Sequence, residues 1–315
     1  MIATGRDSLK RLSRPGGRQG GRRSGVIPFL VPALILFGIW QLYPMLRVVA
    51  LAFTDYVVIG SARTSFVGFG NFVEAFGDPL VRSGLARSLV FTLIFLPGAI
   101  ILPLLAAVAM TRVRSTRLAA FYRVVLLVPA LLPGPLIFIM WRWLYSPAIG
   151  PINYLLVDVL GWYTIHTVPN WAGDPILILP SIVVMEWWWG IGYHTIFFLA
   201  GLAAIPMSTL ESARVDGAHE GRVFWHILLP GLRPIIAVLV ILRLGSAFAV
   251  IEEFLIYGGV NRALPTYTWT VYMWDTAFKV GKWEQGYASA VGLIGTLSVL
   301  ALIVLMLRVG RLTRS

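Results

Sequence analysis

Charged residues interrupt apolar stretches of this sequence at Glu186, Arg243, Glu252 and Glu253. If those stretches cross a membrane, a charge facing lipid costs at least about 2.5–3.5 kcal/mol, so these side chains should face the interior of a helical bundle. There they could carry protons, bind a solute or form an ion pair. The pair Glu186 and Glu253 could also serve as the two acids of a glycosidase, but no lytic scaffold or nucleophile–base arrangement accompanies them.

Two sets of residues around these charges recur with the spacing of one helix face. The first set comprises Glu186, Trp189, Gly190 and Tyr193. The second set comprises Arg243, Ser246, Val250 and Glu253. Hydrogen-bonding groups and aromatic rings suit the hydroxyls and CH faces of a sugar, so both sets are candidates for a solute pathway. The alternative, an internal ion pair of Arg243 with Glu186 or Glu253 that only joins helices, remains equally open.

The composition indicates that the elements carrying these residues lie in a membrane. Of the 315 residues, 58% are hydrophobic and only 13% charged, and the mean hydropathy is +0.80. A soluble domain of this size would need more charge on its surface. Apolar runs long enough to span about 30 Å of hydrocarbon occur near residues 27–46, 86–110, 121–145, 175–202, 232–257 and 287–307. We therefore predict an all-α polytopic membrane protein with six transmembrane helices.

Several function classes are excluded by the residue inventory. There is no cysteine, so thiolate chemistry, disulfides and cysteine-ligated metals are absent, and the four histidines lack the HExxH spacing of a zinc site. The pattern GxxxxGK[ST] is also missing, so this chain should bind neither nucleotide nor metal. The net charge of +12 comes from basic residues beside apolar runs, which favours a topological signal over a nucleic-acid surface.

The distribution of Lys and Arg predicts the orientation of the chain. Basic residues concentrate in the first 25 residues, in the segments 112–123 and 214–233, and at the C-terminus. Fewer occur in the segments 55–85, 146–174 and 258–286, whose aromatic residues we expect to be interfacial anchors. Since Lys and Arg near helix ends stay in the cytoplasm, both termini should be cytoplasmic.

Residues 205–234, IPMSTLESARVDGAHEGRVFWHILLPGLRP, form a polar, helix-forming stretch between two predicted spans. Ser208 or Thr209 should cap a first short helix. Gly217 should allow a sharp turn before a second short helix at about residues 218–228. Such a folded element beneath the membrane suits docking to a partner, and the alternative is a plain amphipathic connector.

The same stretch resembles the EAA signature of ABC importer permeases, which reads E-A-A, three residues, G, nine residues, I, one residue, L-P. The residues that match this signature are Glu211, Ala213, Gly217, Ile227, Leu229 and Pro230, and Ser212 replaces its middle Ala. Asp216 also fits the usual pattern of the family. The segments 66–72, 122–134, 150–156 and 197–206 resemble the carbohydrate-uptake subfamily, which includes maltose-type and glycerol-phosphate permeases, and in particular the first of its two permeases.

The resemblance implies a type I ABC importer permease with a MetI-like core in a bacterial plasma (inner) membrane. Residues 1–25 would be a disordered basic tail, residues 26–310 the transmembrane permease domain with a coupling loop at 205–234, and residues 311–315 a cytoplasmic tail. It also implies several partners: a second permease subunit completing a heterodimeric pore, two ATPase subunits that bind ATP and Mg²⁺, a solute-binding protein, and a sugar-like solute. A competing hypothesis is an ion-coupled secondary transporter with Glu186 and Glu253 as proton sites.

Overall fold

The computed structural model describes residues 27–58, 64–279 and 283–312, with side chains from residue 30 to residue 308. The predicted disordered tail, residues 1–25, lies outside this range, as do residues 313–315 of the predicted C-terminal tail. The last helix continues to Leu312, two residues into that predicted tail. The described residues divide into two compact units, one ending at Ala50 and the other beginning at Leu51.

The described residues are mostly helical, which confirms the all-α prediction; β-structure there is limited to isolated bridges at Thr54–Phe66 and Val57–Glu284. The α-helices are α1 Ile27–Phe37, α2 Tyr43–Leu51, α3 Gly70–Gly77, α4 Pro79–Thr111, α5 Thr116–Leu127, α6 Gly134–Leu144, α7 Pro151–Tyr154, α8 Ile178–Ala203, α9 Met207–Val215, α10 Glu220–Val223, α11 Leu229–Gly231, α12 Arg233–Phe248, α13 Glu252–Gly258, α14 Trp269–Phe278 and α15 Gln285–Leu312. Single π-helical turns cover Gly38–Leu42, Leu155–Val159 and Phe224–Leu228, and a 3₁₀ turn covers Pro129–Leu131.

Three helical stretches among the described residues are long and apolar enough to cross a membrane: Leu30–Leu51, Pro79–Thr111 and Gln285–Arg308. Two further spans result if bent pairs count as one each, namely α8 with α9, bent by 72°, and α10–α11 with α12, bent by 64°. The described residues thus hold up to five of the six predicted spans as continuous or bent helices.

The remaining predicted span, residues 121–145, is not one helix. Helix α5 ends at Leu127, a 3₁₀ turn covers Pro129–Leu131, and α6 begins only at Gly134. Proline lacks an N–H group and disfavours helical geometry in the residue before it, so Pro129, Pro133 and Pro135 interrupt the helix. Hydropathy alone does not register this break, and the prediction of a continuous helix was wrong.

The predicted span 232–257 is also divided, between Phe248 and Glu252. Ala249 and Ile251 leave helical geometry, although no proline or glycine lies between Phe248 and Glu252. The freed carbonyl of Phe248 accepts a hydrogen bond from the Trp269 indole at 2.9 Å, and that of Val250 accepts one from the Thr270 hydroxyl at 2.5 Å. Such replacement partners are what allow a helix to break at membrane depth.

Those partners belong to α14, which lies within the predicted outer loop 258–286. Tyr267, Trp269 and Tyr272 are buried there, against α4 and α15. A Cβ added at Gly84 of α4 would lie 2.6 Å from the backbone nitrogen of Trp269, so only glycine permits this close approach. For these three aromatic residues, the expectation of interfacial anchors was wrong, because they pack inside the protein.

The core of the second unit is built on the pairing of α4 with α8. One apolar cluster includes Phe91 and Phe95 of α4, and a second cluster includes Ile100 and Leu104 of the same helix. Between them, the ring of Trp187 fills the space beside Gly98, where an added Cβ would lie 2.2 Å from that ring. These contacts fix α8, whose middle carries the first set of candidate residues and whose end leads into residues 205–234.

Candidate functional site

Residues 205–234, termed the coupling segment below, begin where the chain turns sharply at the end of α8. Helix α9 is inclined by 72° to α8, and Pro206 lies at its N-cap without a side-chain cap. The predicted capping role of Ser208 or Thr209 was therefore wrong, because both lie within the helix. The carbonyl of Ser208 instead accepts a hydrogen bond from the Ser212 hydroxyl at 2.8 Å.

Helix α9 ends in a glycine-dependent turn, as predicted. Gly217 has a φ of 75°, and no atom lies within 4 Å of the position a Cβ would take. Its N–H donates to the carbonyl of Arg214 at 3.1 Å, and the N–H of Ala218 donates to the carbonyl of Ala213 at 2.9 Å. This pair of bonds is the Schellman motif, which requires a left-handed residue where Gly217 lies. Asp216 is the C-cap residue before it.

The second half of the coupling segment is a helix from Glu220 to Gly231 with a π-helical turn in its middle. The Nδ1 atom of His219 accepts a hydrogen bond from the Arg222 N–H at 3.3 Å and caps its start. Val223 is buried, whereas Ile227, Leu229 and Pro230 are half-buried. These last three residues of the EAA signature therefore pack this helix against the rest of the protein.

The first half presents a different surface. Met207, Glu211 and Val215 recur every four residues on one face of α9. Met207 is 60% exposed and Val215 is 86% exposed. Glu211, also exposed, makes no hydrogen bond or ion pair to any described residue. Ala213, which is less exposed, lies on another face. This face of α9 therefore presents a carboxylate between two exposed apolar side chains.

A second candidate region, termed the buried polar cluster, comprises Glu186, His194, Arg243 and Glu253. Arg243 Nη2 lies 3.4 Å from Glu186 Oε2, and the two side chains are only 19% and 7% exposed. The guanidinium also stands 4.7 Å from the centre of the Phe95 ring. Glu253 lies close enough to interact electrostatically with both Glu186 and Arg243. The structure therefore contains the internal ion pair that was one of the two open alternatives.

This pairing leaves polar atoms without partners among the described residues. Glu186 Oε1 and Arg243 Nε are buried and make no hydrogen bond there. A cavity of about 10 Å³ lies between Glu186, Gly190, His194 and Arg243. That volume is about the minimum that a single water molecule needs, and the surrounding polar groups could satisfy it.

The first predicted set lies on one continuous helix, α8, as predicted, whereas the second does not. Within the first set, Glu186 and Gly190 line the small cavity, and Tyr193 is 53% exposed. Trp189 is half-buried, and its indole nitrogen has no partner among the described residues. The second set does not lie on one helix, because α12 carries Arg243 and Ser246, the break carries Val250, and α13 carries Glu253. Ser246 is exposed and donates its hydroxyl to the carbonyl of Arg243 at 3.1 Å.

His194 belongs to the buried polar cluster, although the prediction omitted it. Its Nδ1 lies 2.6 Å from the carbonyl oxygen of Gly190, and its ring contacts that of Tyr193 at 5.4 Å. It lies four residues after Gly190, so extending the first set by one helical step would have found it. Among the described residues, no group of three or more His, Asp or Glu side chains could hold a metal ion.

Comparison with known proteins assigns the class. Residues 81–314 match the family of binding-protein-dependent transport system inner membrane components, and this chain belongs to that family. It is 30% identical over 283 residues to a probable ABC transporter permease protein of Pyrococcus horikoshii, covering 89% of this chain and 93% of the relative. The predicted membership among ABC importer permeases is confirmed, and the protein is a permease subunit of a binding-protein-dependent importer.

Relatives with named solutes are similarly close. The sulfoquinovosyl glycerol transport system permease SmoG of Agrobacterium fabrum is 31% identical and covers 87% of this chain and 86% of its own. The diacetylchitobiose uptake permease NgcF of Streptomyces coelicolor is 29% identical, with 91% and 82% covered. A bacterial ABC transporter that imports the acidic polysaccharide alginate shares the fold, with a TM-score of 0.78 and 22% identity over 92% of this chain and 96% of its own.

Proposed function

We propose that this chain forms half of a heterodimeric pore with a second permease subunit, and that two ABC ATPase subunits drive the pore. ATP and Mg²⁺ would be bound by those subunits alone. The observation that carries this proposal is the bent coupling segment, in which the exposed carboxylate of Glu211 has no partner among the described residues. An external solute-binding protein delivers the solute, and both termini of this chain lie in the cytoplasm.

The proposed coupling contact uses the exposed face of α9. Met207 and Val215 supply apolar area, and Glu211 supplies a charge for a donor in the ATPase cleft. Gly217 sets the angle between the two halves of the segment, while Ile227 and Pro230 tie the second half to the membrane helices. The remaining proposed coupling residues are Ser212, Ala213, Asp216 and Leu229.

The proposed solute is a sugar or a sugar derivative. Two of the relatives described above are named for sulfoquinovosyl glycerol and diacetylchitobiose, and a third relative, 29% identical, is named for sn-glycerol-3-phosphate. The exposed Tyr193 and Ser246 supply a ring and hydroxyls suited to such a solute. Trp189, Gly190 and Val250 would extend this pathway, with the pair Glu186–Arg243 and Glu253 supporting its wall.

The test of energy coupling is transport in vesicles that contain the whole assembly. Uptake should require ATP and the ATPase subunits, and a proton gradient alone should not support it. Uptake driven by the proton gradient without ATP would reject the proposal in favour of an ion-coupled transporter, with Glu186 and Glu253 as its proton sites.

The docking contact can be tested directly because the chain has no native cysteine. Val215→Cys on α9 should cross-link to an ATPase subunit. The matched control is Val73→Cys on α3, which is also exposed and apolar but lies in a predicted outer segment. Equal cross-linking of both variants, or none at position 215 in an active assembly, contradicts the proposed docking.

A further inference from the structure

A large open cavity lies beside the coupling segment and is distinct from the buried polar cluster. It measures about 1240 Å³ and is bounded by the end of α4, by α5, by the last turns of α8 and by α9 and α10. Its walls are mainly apolar and include Leu127, Ile196 and Leu199. A cavity of this size and lining can hold much of a ligand with a long apolar part.

The rim of this cavity is cationic. Arg112, Arg123 and Arg214 lie on it, together with the single carboxylate Glu220. Glu220 lies 3.5 Å from Arg112 and 3.5 Å from Arg214, so it is shared between two guanidinium groups. Arg123 has no carboxylate within ion-pair distance among the described residues. The rim therefore carries positive charge that the protein does not neutralise.

The rim lies at the ends of two apolar helices. Arg112 directly follows the 33-residue apolar helix α4, and α8 ends nearby at Ala203 before the chain bends by 72°. From Ile196 to Ala203 the wall follows α8 for about 12 Å, at 1.5 Å per residue. A ligand here would have its head at the membrane surface and its apolar part inside.

We infer that this cavity is a binding site for one acidic phospholipid. The phosphate head contacts Arg123 and the charged rim, and an acyl chain lies along the last two turns of α8. Basic pockets beside membrane helices are recognised sites for anionic head groups. A zwitterionic lipid leaves the excess charge of the rim uncompensated, and free phosphate leaves the apolar wall empty. Leu210 of α9 lines the same cavity, so the bound lipid touches the coupling segment.

Native mass spectrometry of the purified assembly in nanodiscs tests this inference, with phosphatidylglycerol and phosphatidylcholine as probes. The wild type should retain one phosphatidylglycerol in preference to phosphatidylcholine. Arg123→Gln should weaken that binding about fivefold, the effect of one charge near a membrane surface. Arg117→Gln, on the same helix but away from the cavity, should leave it unchanged. Equal binding of the two lipids, or equal effects of the two variants, overturns the inference.

A second variant tests the apolar part of the site. Ala200 lines the cavity from α8, so Ala200→Phe should obstruct the acyl chain and lower phosphatidylglycerol binding while the rim charges remain. Thermal unfolding of the same variant checks that the assembly is intact. Inorganic phosphate at millimolar concentration should not displace the lipid. Displacement by phosphate, or unchanged binding in a folded Ala200→Phe assembly, would show a free-anion site or an unrelated surface instead.

Discussion

The buried polar cluster and the coupling segment each contain a glutamate, in opposite surroundings. Glu186 is 7% exposed and lies 3.4 Å from Arg243. Glu211 is exposed and has no partner among the described residues. A buried carboxylate must be paired because an isolated charge in an apolar interior is very costly, whereas an exposed one remains hydrated at little cost. In our proposal, the first carboxylate serves the fold and the second binds another subunit.

We propose that burial, and not residue type, separates the charges that stabilise this protein from those that bind a partner. Both glutamates were candidates by sequence, one for the solute pathway and one for coupling. If the distinction is correct, changes in the buried polar cluster should reduce stability first, and changes in the coupling segment should reduce transport first. Four variants, in order of decreasing effect on stability, test this.

The largest loss of stability is expected for Arg243→Met. The variant leaves the Glu186 carboxylate buried without its partner, which costs about 3–5 kcal/mol in comparable buried pairs. The thermal unfolding temperature of the purified assembly should fall sharply. The double variant Glu186→Met with Arg243→Met should recover part of the loss, because no uncompensated charge remains. If the double variant loses as much stability as the two single variants lose together, Glu186 and Arg243 do not form a structural pair.

A smaller loss is expected for Gly217→Ala, because a left-handed conformation costs a residue with a Cβ about 1–2 kcal/mol. Gly161→Ala is a matched control, since Gly161 has a φ of 64° and equally open surroundings but lies in a predicted outer segment. Both variants should unfold at similar temperatures. Only Gly217→Ala should lower the amount of solute taken up per ATP hydrolysed. If this ratio is equal in the two variants, the turn at Gly217 has no coupling role.

The sequence was most informative where one local rule decides the structure. Hydropathy was enough to place α4, α8 and α15, since each is a long apolar run. Gly217 was recognisable because only a residue without a Cβ readily adopts that turn. The EAA pattern marked a segment that the structure folds as short helices between α8 and α12, while its coupling role stays a prediction.

The sequence was least informative where partners distant in the chain decide the structure. The break between α12 and α13 depends on hydrogen bonds from Trp269 and Thr270, about twenty residues later in the chain. Helix α14 was missed because its buried aromatic residues have the composition of an interfacial loop. For the same reason, the sequence could not decide whether Arg243 forms an internal ion pair with Glu186. Helical spacing shows which residues share a face but not which helix that face contacts.

The third variant, Tyr193→Ala, tests the exposed part of the proposed solute pathway. It removes ring contacts with His194 at 5.4 Å and Phe197 at 5.2 Å, worth about 1 kcal/mol. It should also raise the apparent KM for uptake. Tyr193→Phe keeps the ring and loses the hydroxyl, so it should restore the unfolding temperature and leave KM raised. If Tyr193→Phe restores both quantities, the hydroxyl does not bind the solute.

The smallest effect on stability and the clearest effect on function are expected for Glu211→Gln. An exposed substitution without a lost partner should change the free energy of unfolding by less than about 0.5 kcal/mol. A charge-assisted bond to an ATPase subunit contributes about 1.5–3 kcal/mol, so affinity for that subunit should fall at least ~tenfold. Titration of the ATPase subunit into the reconstituted permease measures this. The control is Glu74→Gln on α3, where the glutamate is also exposed. If the two variants bind the ATPase subunit with equal affinity, Glu211 is only a solvated surface charge.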